Sequence, residues 1–160
     1  MNNSVKAMAA LAVIVITIAS MIALAPGSDA DPEGTGIRSL DNLEPGTYHL
    51  TNSITLTSTF TVDQNEEYII DLNGNTISAS LDTPLFSNNG TLRIIDNSEE
   101  PGKISNTDGV GNVGVINNTE GGTLSIGTIV IEAVTNIGIY NSGTCTVDGA
   151  SIKITSDTYS

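Results

Sequence analysis

Leu85-Phe86-Ser87-Asn88-Asn89-Gly90-Thr91-Leu92-Arg93-Ile94 decides the fold, because the chain repeats it twice. The second copy is Val115-Ile116-Asn117-Asn118, a short insertion, then Gly122-Thr123-Leu124-Ser125-Ile126. The third is Ile139-Tyr140-Asn141-Ser142-Gly143-Thr144-Cys145-Thr146-Val147. A further strand-like run follows each copy: Gly102-Lys103-Ile104-Ser105, Thr128-Ile129-Val130-Ile131 and Ser151-Ile152-Lys153-Ile154. Each unit therefore reads as strand, Asn/Gly turn, strand, turn, strand. Three short strands cannot bury a face alone, but they can if successive units stack and equivalent strands pair in parallel. Phe86 to Ile116 spans 30 residues and Ile116 to Tyr140 spans 24, with the difference absorbed in turns. At about 4.8 Å per rung, four or five coils make a rod about 20–25 Å long.

Alternation assigns the faces, since successive side chains on a strand point to opposite sides. Leu92, Leu124 and Cys145 take one inward position, and Ile94, Ile126 and Val147 the next. Val115 pairs with Ile139, Val113 with Ile137, and Ile129 and Ile131 with Ile152 and Ile154. On that register Asn117 and Asn141, with Ser87 in the first unit, form an inward structural ladder at a corner. Stacked amides can there exchange hydrogen bonds between rungs. Phe86, Ile116 and Tyr140 fall at one outward position beside Gly114 and Gly138. They read as an apolar strip fit to bind a glycan or a partner protein, or simply as rungs stacked under cover.

The same pattern extends towards the N-terminus. Tyr48, Leu50, Ile54, Leu56, Phe60 and Val62 alternate with Thr and Ser, and β-branched residues suit a pleated surface. Asn73-Gly74, Asn89-Gly90 and Pro101-Gly102 punctuate the runs as turns. Residues 31–45 are polar and read as a linker, and residues 46–160 as the repeat domain. Residues 1–30 read as a targeting helix. One Lys precedes an apolar run from Ala7 to Ala25, and Ser28 and Ala30 supply a small-x-small cleavage site before Asp31. The run is also long enough to span a bilayer as a retained anchor. Either way the remainder is exported to the cell surface or the extracellular space, and membrane contact is confined to residues 1–30.

Composition bounds the function. The chain has 160 residues, 18 acidic and 5 basic, for a net charge of −13. So few cations argue against nucleic acid as a partner, because that binding rests on Lys and Arg neutralising phosphate. One Cys and one His exclude an intrachain disulfide framework and multi-Cys or multi-His metal centres, and no cofactor is expected. The acids are scattered, and read as a solvated exterior.

Asp71-Leu72-Asn73-Gly74-Asn75-Thr76-Ile77-Ser78, the Gly-Thr-Leu-x-Ile repeats and Gly138-Ile139-Tyr140-Asn141-Ser142-Gly143-Thr144 resemble right-handed β-helix segments of secreted, adhesin-like surface proteins of bacteria and archaea, which share the pectate-lyase-like fold. Pro45-Gly46-Thr47-Tyr48-His49-Leu50-Thr51 is similar to their usual first coil. The resemblance covers about residues 45–160 and implies an all-β, right-handed parallel β-helix of about four coils. It implies a non-catalytic surface or structural module, and as the alternative a fragment or relative of a polysaccharide-degrading enzyme.

The candidate chemistry is thin. Asn106-Thr107-Asp108-Gly109 is similar to a polygalacturonase motif, but the family's Asp-Asp pair, Gly-His-Gly and Arg-x-Lys have no counterpart, and glycoside hydrolysis needs two carboxylates. A lyase needs clustered acids to hold Ca²⁺ and a basic residue as proton acceptor. Arg93, Lys103 and Lys153 fall at outward positions with no acidic cluster beside them. His49 should face solvent. Cys145 takes a Leu position and reads as a small buried hydrophobe. Asn89-Gly90-Thr91 and Asn117-Asn118-Thr119 are N-glycosylation sequons, of which the register leaves only Asn89 facing out. The sequence ends after Ile152-Lys153-Ile154-Thr155 without an evident cap, which reads as a fragment of a longer protein.

Overall fold

The computed structural model describes residues 34–108, 113–134 and 137–155, and shows a parallel β-solenoid of about four coils. The expected targeting segment, residues 1–30, lies outside the described residues. Strand β1 (Thr35–Ile37) leads into four complete three-strand coils. These are β2 (Gly46–Leu50), β3 (Ile54–Leu56) and β4 (Phe60–Val62); β5 (Glu67–Asp71), β6 (Thr76–Ala79) and β7 (Phe86–Asn88); β8 (Thr91–Ile95), β9 (Lys103–Asn106) and β10 (Ile116–Asn118); and β11 (Thr123–Ile126), β12 (Val130–Ala133) and β13 (Ile139–Asn141). β14 (Thr144–Val147) and β15 (Ser151–Ile154) begin another turn. Equivalent strands pair in parallel into three sheets, ordered β1-β2-β5-β8-β11-β14, β3-β6-β9-β12-β15 and β4-β7-β10-β13.

Like residues meet along the rod because every rung repeats the same alternation. In the first sheet Ile70, Ile94 and Ile126 stack, as do Tyr68, Leu92 and Leu124. In the second, Ile54, Ile77, Ile104, Ile131 and Ile152 form one column. In the third, Phe60, Phe86, Ile116 and Ile139 do so, with the Phe60 and Phe86 rings edge-on at 6.0 Å. Most of these side chains are wholly buried. Each contributes roughly 1.5–3 kcal/mol of burial free energy, which offsets the entropy of fixing so many short strands.

The last turn departs from the expected register by two residues. Ile131 pairs with Ile152 and Ala133 with Ile154. A slip of two keeps every side chain on its face, so the inward assignment of Ile152 and Ile154 stands although their partners change. With no described rung above them, Val147, Ile152 and Ile154 are each about 45% exposed.

Residues 34–45 are not a linker. β1 lies on β2 with Thr35 opposite Tyr48, a step of 13 residues, whereas Ile126 to Val147 takes 21 and Ile94 to Ile126 takes 32. Thirteen residues are too few to follow the perimeter, so the chain cuts across the end of the rod. Leu40 is thereby buried against the core, Leu43 packs beside it, and the Tyr68 hydroxyl donates to the Leu43 carbonyl at 2.9 Å. A shortened coil serves as the cap that solenoid ends require.

Candidate functional site

The corner between the third and first sheets holds the amide ladder, formed by Asn88, Asn118 and Asn141 rather than by Ser87, Asn117 and Asn141. Asn88 Nδ2 donates to Asn118 Oδ1 at 2.7 Å, and Asn118 Nδ2 to Asn141 Oδ1 at 2.7 Å. The same nitrogens donate to the carbonyls of Thr123 and Thr144 in the next coil, while Asn88 Oδ1 accepts from the Gly90 N–H and Asn118 Nδ2 donates to the Gly122 carbonyl, so each amide closes its own corner and ties it to the next. Asn88 and Asn118 are fully buried, and a buried amide is tolerated when hydrogen-bonded on both sides.

Glycine follows for a steric reason. A Cβ on Gly90 would lie 2.3 Å from the Asp63 carbonyl oxygen, one on Gly122 would lie 2.5 Å from that of Asn88, and one on Gly143 would lie 2.3 Å from that of Gly122. The repeated Asn…Gly-Thr is thus a packing motif, in which Asn closes the corner, Gly lets the rung below approach, and Thr starts the next strand.

The expected apolar strip of Phe86, Ile116 and Tyr140 does not form. Ile116 pairs with Phe86 on one side and with Ile139 on the other, and both Phe86 and Ile116 are wholly buried. Tyr140 stands one residue further on, points outward and is 44% exposed. Its row on the outer face is Thr61, Ser87, Asn117 and Tyr140. Tyr140 faces outward as expected; aligning the third unit one residue out gives Phe86 and Ile116 its face, when theirs is the inward one. Counting back from Gly-Thr places Phe86 and Ile139, not Tyr140, at the same distance, and that signal was in the sequence. The same slip explains Val113, which is exposed, and Val115, which sits beside Ile116 rather than pairing with Ile139.

The corner between the first and second sheets binds its carboxylates internally. Asp71 accepts from the backbone of Asn73 at 2.9 Å and of Asn97 at 3.2 Å, and from Asn97 Nδ2 at 3.0 Å. Asp96 accepts from the backbone N–H of Gly74, Ser98 and Gly102 at 2.8–2.9 Å and from the Ser98 hydroxyl. Asn73 and Gly74 take positive φ angles of 48° and 74°, which lets this turn present Gly74 N–H to Asp96. Asp108 lies at a turn, its backbone N–H donating to Asn106 Oδ1 at 3.3 Å. The carboxylates of Asp71 and Asp96 are occupied in holding corners together.

On the outer face of the second sheet, Lys103 and Lys153 flank Glu132, with Nζ–carboxylate distances of 3.1 and 3.7 Å. Both lysines therefore have an acidic neighbour that the sequence alignment left out. The hydrogen bond from Lys103 holds the Glu132 carboxyl below its usual range. Cys145 stacks on Leu124 at the inward position expected for it, and burial pushes its thiol up.

The outer face of the first sheet carries a polar cleft. Arg93, Ser125 and Thr146 stand in register on three adjacent strands, and Thr91, Thr123 and Thr144 form a parallel hydroxyl row. The corners at Asp96, Thr128 and Asp148 wall the first row into a hollow of about 160 Å³. A guanidinium, several hydroxyls and two carboxylates thus converge on a shallow surface. Donors and acceptors in such a row can engage a polyhydroxylated chain lying along the rod. Comparison with protein-family models, with curated proteins and with solved structures finds no match to this chain.

Proposed function

We propose that the chain is an exported, non-catalytic β-solenoid module of a cell-surface or secreted protein, which binds an extracellular glycan on the outer face of its first sheet. The cleft at Arg93, Ser125, Thr128 and Thr146 carries the reading, because hydroxyls and charged groups line one concave surface there. The hydroxyls both donate and accept, and the charged groups beside them add directional donors and acceptors. Because Asp96 and Asp148 line the same hollow, a neutral polyhydroxylated chain fits it better than a uronate-bearing one. The N-terminal apolar run and the charge of −13 support export and a solvated exterior. The internal bonding of Asp71 and Asp96 supports binding over hydrolysis, since an acid–base pair needs carboxylates open to a substrate.

The test is equilibrium binding of the full chain to soluble uronate-containing and neutral oligosaccharides. Binding of the neutral oligosaccharide that falls at least tenfold in Ser125→Ala and Thr146→Ala is expected. Equal binding by wild type and both variants would move the site elsewhere. Shortening of the oligosaccharides on incubation would favour the enzyme.

A further inference from the structure

The register exchange that buries Asn118 turns its neighbour outward. Asn117, the first residue of the sequon Asn117-Asn118-Thr119, lies at the middle of β10 on the outer face. Its amide makes no hydrogen bond among the described residues, while the amide of Asn118 is wholly engaged in the ladder. Its cross-strand neighbours are Ser87 on one side and Tyr140 on the other. Ser87 is small enough to leave room above it, and Tyr140 offers a half-exposed ring. From these observations we infer that Asn117 is an acceptor for N-linked glycan, with the first sugar lying against the Tyr140 ring. The inference rests on the reading that the chain is exported.

The chemistry is a group transfer from a polyprenyl-diphosphate-linked oligosaccharide. A C–N bond forms between Asn117 Nδ2 and the anomeric carbon of the first sugar. The bond from that carbon to the lipid diphosphate breaks, the diphosphate leaves with the electron pair, and the amide proton passes to the transferase.

Timing follows from Thr119. The transferase must engage the sequon hydroxyl, but in the folded corner Thr119 Oγ1 is held by the Asn88 carbonyl at 3.0 Å and by Asn89 Oδ1. Attachment therefore precedes closure of this corner, on the nascent chain. The folded coil then accommodates the product, because the sugar leaves through the outer face and the ladder beneath is untouched.

Translation of the full chain with glycosylating microsomes tests this in two arms. In one arm a host leader precedes the chain; in the other its own N-terminus alone directs it. With the added leader, the translocated protein should carry an endoglycosidase-sensitive mass increment, and Asn117→Gln should reduce it by one glycan both in the wild-type background and in the Asn89→Gln background. Folded protein offered afterwards to the same transferase and donor should remain unmodified at Asn117. A translocated chain with Asn117 bare overturns the inference, as does one glycosylated there but unable to fold. Modification of the folded protein at the nascent rate overturns the ordering. Failure in the second arm alone bears on export and leaves the acceptor result intact.

Discussion

Asn88 hands a hydrogen to Asn118 across 2.7 Å in a place closed to solvent, and thereby joins two rungs whose backbones are 30 residues apart. Asn118 passes the same bond on to Asn141. Replacing Asn118 with Ala removes both links and leaves the buried Asn88 and Thr144 groups without this partner. Groups left unpaired in a core cost about 1–3 kcal/mol. Asn118→Ala should therefore lower unfolding free energy by about 2–3 kcal/mol in urea titration. Asn117→Ala, one residue away and outward, should stay within about 0.5 kcal/mol. The opposite order of the two variants would mean that the register is wrong.

That pair also marks where the sequence was legible. The repeat, the three parallel sheets and the columns of Ile and Leu follow from period-2 alternation combined with recurring Asn and Gly. The faces of Phe86 and Ile116 do not, because Ile139-Tyr140-Asn141 and Val115-Ile116-Asn117 align equally well by residue type. One carries its inward apolar residue first and the other second. The hydrogen-bonded corner fixes which asparagine is the ladder residue, and hence which apolar residue points in; the equal distance of Phe86 and Ile139 from their Gly-Thr pairs is the trace it leaves in the sequence. The cap was illegible for another reason. Leu40 and Leu43 stand in a polar stretch without periodicity, and only the short 13-residue step from Thr35 to Tyr48 shows that they must cross the rod's end. The contacts of Lys103 and Lys153 were hidden because Glu132 reaches them across neighbouring strands, at separations no local pattern reports.

Gly143→Ala should be destabilising although nothing about its φ demands glycine. Its Cβ would fall 2.3 Å from the Gly122 carbonyl oxygen and 2.5 Å from that of Thr119, both backbone atoms that can move only if the rung moves. Overpacking of this kind costs about 1–3 kcal/mol. Thermal unfolding should show the loss. A variant at Thr144, which starts an outer row, should show little, and equal stability of Gly143→Ala and wild type would contradict the close approach of the corners.

Leu40→Ala should loosen one end of the rod rather than the whole. Leu40 is 3% exposed and seals the first coil, and deletions of buried Leu side chains cost about 2–5 kcal/mol where the site cannot collapse. Each coil contacts chiefly its neighbours, so the effect should fade along the axis. Amide hydrogen exchange should accelerate in β2, β3 and β4 and remain near wild type in β9 and β12. Uniform acceleration would mean that the solenoid unfolds as a single unit, with no local role for the cap.

Glu132 gives the molecule a weak acid sensitivity whose sign can be stated. Its folded carboxyl titrates below the usual range because Lys103 donates to it, with the charges of Lys103 and Lys153 adding to that pull. A group depressed in the folded state stabilises it above the unfolded Glu value, about 4.3, and that stabilisation is lost as pH falls through the folded value. The triad is about one-third exposed at Glu132 and more so at the lysines, so solvent screens it and its worth is at most about 1 kcal/mol. Following the Glu132 carboxyl carbon by NMR, Lys103→Ala should move its titration up towards the ordinary range. Lys153→Ala should move it less, since that contact is longer at 3.7 Å. If Lys153→Ala produced the larger shift, the direct hydrogen bond from Lys103 would not be the main cause of the depression.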